Sequence, residues 1–346
     1  MSSQNKETII VTGGAGYIGS HTIIELLEKT DYTIVSVDNY TNSTSDTFER
    51  IEAITGKKVK NYHVDIANYE ALEYALNSVK NPVGVIHFAA FKSVPQSVHE
   101  PLLYYHNNLG SLINMLKYCK VRNIQNFIFS SSCSVYGNVE KLPVTEQTPF
   151  SKAESPYAQT KQMGEDIVSD FIKSSPSFKA VLLRYFNPVG AHMSALTGEL
   201  SNSKPDNLVP YITLTAAGLL PKLTVFGGDY DTRDGSCIRD YIHVSDIADA
   251  HVRAMNYLLD NKQKKACSVF NLGTGTGVSV LEAIRSFEKV SGKKLNYEVG
   301  PRRAGDVVNI YANNDLAKSE LGWDPGYSLD DMMLSAWKWQ QHLQYN

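Results

Sequence analysis

Cysteine is scarce in this chain and never paired. Its four cysteines, Cys119, Cys133, Cys237 and Cys267, are widely separated and form no C-x-x-C. Neither a zinc pattern nor a disulfide framework is legible, and the thiols read as reduced. Long apolar runs are missing too. No stretch of about 18 apolar residues marks a membrane span, and the polar start Met1–Thr8 enters an apolar strand with no signal-peptide pattern. A cytoplasmic protein with no membrane partner is expected. Neither sign of charge prevails: 33 Lys and Arg against 36 Asp and Glu leave a net charge of -3, which gives no general attraction to nucleic acid or anionic lipid. The nine histidines are scattered, without metal-ligand spacing, so no metal is expected. Repeats and low-complexity tracts are absent. An anionic ligand must therefore be held by a few placed cations and backbone amides.

What is present is a large globular composition, 42% hydrophobic over 346 residues, enough for two domains without staples. Short β-branched runs at Ile9–Thr12, Thr33–Val37, Lys58–His63, Val83–Ala89, Asn126–Ser130 and Ala180–Arg184 alternate with helical patterns starting near Tyr17, Tyr69, Pro101 and Ser155. Such alternation predicts a Rossmann-type α/β fold, a doubly wound parallel sheet covered on both faces. From Pro188 to Asp240 the chain turns rich in Gly, Pro and Asn. Helices are expected near Leu208–Leu219, Ser245–Leu259 and Ser279–Ser291. The expected division is residues 1–186 as the dinucleotide domain and 187–346 as a smaller α/β substrate domain, some of whose segments return to the first.

The first strand breaks into I-I-V-T-G-G-A-G-Y-I-G-S at 9–20 and enters a helix. Gly13, Gly16 and Gly19 allow a tight turn, close backbone approach to a diphosphate, and close helix–strand packing. The helix N-terminus offers amides and positive dipole to the phosphates. The second strand ends at Asp38, 19 residues past Gly19, where a dinucleotide fold places the acid for the adenosine ribose. A carboxylate there repels a 2′-phosphate and Asn39-Tyr40 supplies no arginine, so NAD is expected rather than NADP. Asp65-Ile66, after the third strand, is placed to flank the adenine, while Asp65 also suits a helix N-cap.

A further strand, F-I-F-S-S-S-C-S-V-Y-G at 127–137, ends in three serines. S-P-Y-A-Q-T-K at 155–161 then places Tyr157 and Lys161 on one helical face. A lysine ammonium beside a phenol favours the phenolate, which can take a proton from a sugar hydroxyl as a hydride leaves the same carbon. A serine of the 130–132 run can bind the same oxygen. With 20 tyrosines in the chain, a chance Tyr-x-x-x-Lys is common. The order of glycine loop, acid, serine-ended strand and Tyr-x-x-x-Lys is what points to catalysis.

These segments resemble the extended short-chain dehydrogenase/reductases, and among them the UDP-hexose 4-epimerases. The similarity runs through V-T-G-G-A-G-Y-I-G-S-H at 11–21, V-I-H-F-A-A-F-K-S-V at 85–94, L-L-R-Y-F-N-P-V-G-A-H at 182–192, R-D-Y-I-H-V-S-D at 239–246 and P-R-R-A-G-D at 301–306. It implies reversible interconversion of UDP-galactose and UDP-glucose through a 4-keto sugar, with tightly held NAD and homodimers pairing through helices near 101–119 and 155–173. It implies Tyr157 as base, Ser132 as its partner and Lys161 on the nicotinamide ribose. Cofactor contacts would also come from Tyr17, Ile18, Asn39, Asn42, Ser43, Phe88, Ala89, Lys92, Asn107 and Tyr185. The UDP-hexose would meet Lys92, Phe186, Asn187, Asn207, Leu208, Thr224, Phe226, Arg239, Arg303, Asp306 and Ile310, arginine forks suiting the diphosphate. Ser111 stands where many relatives have glycine, a variation in helix packing. Ile310 stands where room for a 2-acetamido group is decided, and leaves N-acetylhexosamines open. The rivals are a nucleotide-sugar 4,6-dehydratase, disfavoured because Cys133 and Ser134 replace its acidic pair, a UDP-uronate decarboxylase, and a non-catalytic NAD-binding sensor.

Overall fold

The computed structural model describes residues 6–200, 205, 207–303 and 307–345. Asp306 lies outside them. Seven parallel strands form one sheet, in the spatial order Cys267–Leu272, Lys179–Tyr185, Asn126–Ser132, Pro82–His87, Thr8–Thr12, Thr33–Val37 and Lys60–Tyr62. Strand side chains alternate faces, and here both faces are buried. Ile9, Val11, Ile86 and Ile128 join one apolar cluster, while Ile10, Val85, Phe127 and Phe129 join the other. Near-continuous apolar runs are the mark of such doubly covered strands.

The structure differs from the sequence reading in instructive places. The expected strand Lys58–His63 shortens to Lys60–Tyr62, an edge strand paired on one side only. A seventh strand beyond those expected, Cys267–Leu272, closes one edge of the sheet. It pairs in parallel with Lys179–Tyr185 along its whole length, although its residues follow the less regular stretch. Helix Val244–Leu259 likewise packs on helix Tyr17–Lys29, its apolar face closing the first cluster. Helices Asp46–Thr55, Val94–His99 and Leu329–Tyr345 were also unforeseen. The helix expected from Pro101 is a short turn, Pro101–Tyr104, then a wider π-helical turn, Tyr105–Leu109, and helix Gly110–Arg122. Ser111 is buried there, its hydroxyl donating to Asn108 O at 3.3 Å.

The remaining core lies between helices Leu208–Ala216, Val280–Ser291 and Leu329–Tyr345, where Ile212, Val225, Phe287 and Trp337 meet. A capping box between Ser279 and Glu282 starts the middle helix. Short strand pairs, Asn187–Val189 with Tyr241–His243 and Ile238–Arg239 with Val278–Ser279, stitch this region to the sheet's carboxyl edge. Among the described residues no helix is long and apolar enough to cross a membrane.

Two outcomes are expected. Phe270, fully buried in the seventh strand, supports the main core, so Phe270→Ala should cost about 3–5 kcal/mol in denaturant unfolding. Burial also pushes His21 and His87 down to about 3, and His243 and His251 to about 4. The unfolded chain binds those protons near pH 6.5 and the folded chain resists them, so stability is lost as pH falls below 6.5. Each histidine contributes roughly 2 kcal/mol between pH 6.5 and 5. Asp246, raised to about 6 by burial, opposes this, as do Glu25, Glu146 and Asp240, whose carboxyls burial also raises. Calorimetry should show the melting temperature dropping from pH 7 to 5, with a flatter slope in His87→Gln.

Candidate active site

Strand ends converge at one edge of a parallel sheet, and there the turn after Thr8–Thr12 is shaped by absent side chains. Gly13 has φ +70, and a Cβ on it would lie 2.9 Å from Ala89 N. A Cβ on Gly19 would lie 2.2 Å from Gly13 O. Backbone thus occupies the space that side chains would take. Gly16 caps helix Tyr17–Lys29 with no side-chain hydrogen bond, so no side chain satisfies the amides of the first turn, which includes Ile18. Tyr17 folds back, its hydroxyl donating to Gly190 O at 2.6 Å.

Asp38 ties the loops together. Its carboxylate accepts Ala15 N at 2.9 Å, Tyr40 N at 2.8 Å and Ser43 Oγ at 2.9 Å. Three of about four acceptor positions are taken, and Ser43 acts here as a support for Asp38. Asn39 holds Thr41 N and Oγ1, with exposed Asn42 beside it. Asp65 accepts Ala67 N at 2.9 Å in a local turn. The cap of helix Tyr69–Leu76 is Asn68, bonded by Ala71 N, so the N-cap reading of Asp65 is corrected. Ile66 is buried. Phe88 packs on His251 at 4.7 Å between ring centres, Ala89 N donates to Thr12 Oγ1, and Asn107 Nδ2 donates to Asn108 Oδ1.

Strand Asn126–Ser132 and helix Pro156–Ser174 bring the polar cluster together. Ser155 caps the helix by accepting Ala158 N, with Pro156 at its first position, which sets Tyr157 in the first turn. Burial pushes the Tyr157 phenol up to about 12, against the opposing pull of Ser132 beside it. Lys161 donates to Ser130 O at 2.6 Å and stands 5.9 Å from the Tyr157 ring centre. Burial pulls Lys161 down to about 8. The expected lowering of Tyr157 by Lys161 is therefore corrected for the protein alone, because desolvation outweighs an ammonium turned toward a carbonyl. Tyr185 OH lies 2.7 Å from His251 Nε2, and His251 Nδ1 faces Ile247 O. That fixes Nδ1 as donor and Tyr185 as donor to Nε2.

Across the crevice, Lys92 pairs with Glu199 at 2.7 Å, and Glu199 Oε1 also accepts Asn207 Nδ2 at 3.1 Å. Asn207 precedes Leu208, the first residue of its helix. Asn187 Oδ1 is buried without a partner among the described residues. Arg239 donates to Ile238 O. Arg302 is engaged by Asp229 at 2.8 Å, whereas Arg303 stands over the ring of Phe226, 5.4 Å from its centre. Thr224 lies beside Glu298. Phe186 and Ile310 are buried in one cluster with Val135 and Tyr136, so Ile310 packs largely into the core.

Sequence reading missed Glu199 and Asp240. Asp240 is buried and accepts Thr274 N, Thr274 Oγ1, Gly275 N and Ala312 N at 2.7–3.2 Å. It ties the segments at 274–275 and 312 to its own, beside Arg239. A lone acid inside the apolar stretch I-R-D-Y-I-H was the signal available.

A family model described as GDP-mannose 4,6 dehydratase matches residues 10–335. The UDP-glucose 4-epimerase of Dictyostelium discoideum is 46% identical over 334 residues, 96% of each chain. Two crystal structures superpose closely. The UDP-glucose-4-epimerase of Stenotrophomonas maltophila, with bound NAD and formylated UDP-arabinopyranose, has a TM-score of 0.94 and 42% identity over 98% of this chain and 99% of that one. The UDP-glucose 4-epimerase of Bifidobacterium longum, in complex with NAD+ and UDP, has a TM-score of 0.91 and 46% identity over 97% and 98%. With a dinucleotide turn, a Ser132–Tyr157–Lys161 cluster and near-full-length similarity in agreement, the chain belongs to the extended short-chain dehydrogenase/reductases and, within them, to the UDP-glucose 4-epimerases.

Proposed function

We propose that this protein interconverts UDP-galactose and UDP-glucose at carbon 4 of the hexose, and that it keeps NAD bound through turnover. The observation that carries this is the placement of Ser132 against the Tyr157 phenol, beside Lys161, at the same sheet rim as the glycine turn. The cofactor fits the site because Gly13 and Gly19 leave no space for a side chain, the first helical turn is uncapped, and Asp38 keeps one acceptor position. NAD held there supplies reversible hydride acceptance from carbon 4, and a positive ring that favours the Tyr157 phenolate. Gly13, Gly16 and Gly19 cradle its diphosphate with Lys92, Asp38 takes the ribose, and Lys161 and Tyr185 support the nicotinamide end.

Ser132 orients the hexose hydroxyl and Tyr157 exchanges its proton. On the other wall, Asn187, Asn207, Arg239 and Arg303 grip the nucleotide diphosphate. The hexose is left loosely held, free to present either face. Asp306, outside the described residues, belongs to the same nucleotide grip by resemblance alone. Acceptance of 2-acetamido sugars is governed by the room that buried Ile310 leaves, and UDP-N-acetylglucosamine in the same assay measures it.

We also read the chain as a cytoplasmic homodimer. Apolar side chains lie exposed on neighbouring helices, among them Val98, Leu102 at 80% exposure, Ile113, Val121 and Met163, where burial against a second copy would remove them from water.

The first test is UDP-galactose with purified enzyme and no added NAD, followed as UDP-glucose. Tyr157→Phe should lower kcat by about 10²–10⁴-fold while UDP binding persists. Absence of wild-type turnover, even with NAD supplied, would reject the reading. Leu102→Glu should shift the mass measured by light scattering from dimer to monomer, and a wild-type monomer at micromolar concentration would refute the pairing.

A further inference from the structure

Two opposite charges lie deep beneath the catalytic cluster. Glu165 and Arg184 are each 5% exposed and meet in a forked pair, Nε to Oε1 at 2.9 Å and Nη2 to Oε2 at 2.7 Å. A buried pair of this kind adds little net stability compared with apolar residues of the same volume. Its place in the fold is more informative than its energy.

Tyr157, Lys161 and Glu165 follow one another at four-residue steps along helix Pro156–Ser174 and so share a face. Each reaches a different serine of the same strand end. Tyr157 lies against Ser132, Lys161 bonds the Ser130 carbonyl, and Glu165 accepts the Ser131 hydroxyl. Arg184 sits directly opposite Ser131 in the neighbouring strand. Its remaining nitrogen donates to Tyr136 OH at 2.9 Å, and Tyr136 donates to Asn271 Oδ1 at 2.6 Å. Asn271 belongs to the seventh strand. One carboxylate thus joins the catalytic helix, the serine strand and, through Arg184, the two strands beyond.

The electrostatics run the same way. Around Lys161 are His87 from strand Pro82–His87, the Phe129 ring and Ser130 carbonyl from the serine strand, Arg184 and Tyr185 from the next strand, and Tyr157 and Glu165 from its own helix. Burial keeps His87 neutral and both tyrosines protonated. Of these groups Glu165 is the one carboxylate, ion-paired to Arg184, and it opposes the downward pull of burial on Lys161.

We propose that Glu165 is a positioning residue. Through Ser131 and Arg184 it fixes the height of the Ser130–Ser132 strand end against Tyr157, and it sets a carboxylate one turn along the same helix face from Lys161. This rests on the proposed roles of Ser132, Tyr157 and Lys161, and it adds a group that touches none of the reacting atoms.

The test compares wild type, Ser131→Ala, and the paired variant Glu165→Leu/Arg184→Met. The paired variant removes both buried charges together and so leaves none uncompensated. Melting temperature and UDP affinity report the fold and the nucleotide grip. The epimerase kcat and its pH profile report the cluster. Both variants should melt near wild type and bind UDP as wild type does. In the paired variant kcat should fall about tenfold or more, since small displacements of reacting groups are costly, and the alkaline limb set by Lys161 should move, because the ion pair beneath it is gone. Ser131→Ala should lower kcat without moving that limb. A folded paired variant with wild-type kcat and pH limb overturns the inference. Should the paired variant fail to fold, an unchanged kcat in Ser131→Ala overturns it instead. Wild-type turnover itself tests the proposed function, so the two failures are told apart.

Discussion

Parallel strands leave their sheet at a common edge, and that constraint organises everything else here. Thr12, Val37, His87, Ser132, Tyr185 and Leu272 are strand ends along one rim, so the residues just past them, Gly13, Asp38, Phe88 and Cys133 among them, are brought side by side. A crevice at that rim follows from topology alone. The second half of the chain supplies its opposite wall, held on by short strand pairs and by the acceptor-rich carboxylate of Asp240. Chemistry then needs only a handful of side chains, because the frame has already aligned their backbones.

With so little net charge, the site depends on local placement of ions and on desolvation. Tyr157 is held protonated by its surroundings and Lys161 is drawn toward neutrality, so neither is intrinsically set for proton transfer. Opposite charges near at hand set the balance: Glu165 beneath Lys161, and whatever cation arrives above Tyr157. The same economy shows at Glu199, which neutralises Lys92 while holding Asn207. Anionic ligands therefore enter a crevice whose cations are already partly satisfied, which favours ligands able to outcompete a carboxylate.

Local patterns carried much of this into the sequence. Ile9–Thr12 with its glycines, Asp38 at the next strand end, and Tyr157 four residues before Lys161 are short-range signals, and periodicity plus turn chemistry exposes them. Strand Cys267–Leu272 was not legible because its place depends on pairing with residues nearly ninety positions earlier, a fact no local window contains. The broken helix after Pro101 depends on the π-helical turn that seats Asn107 and Asn108, a tertiary demand overriding helical propensity. In the protein alone the Tyr157 phenol shifts opposite to the expectation from Lys161, because sequence shows which charges are neighbours but not how much water surrounds them.

The seventh strand bears on how this protein must be made. Lys179–Tyr185 remains an open, largely apolar sheet edge until residues 267–272 leave the ribosome and dock beside it, with helix Val244–Leu259 needed to roof the same face. A nascent or truncated chain ending near residue 186 would carry an unpaired strand of the kind that recruits other chains. Halting synthesis midway would thus yield a self-adhesive fragment, and the two halves are better regarded as one cooperative unit whose closing piece is translated late.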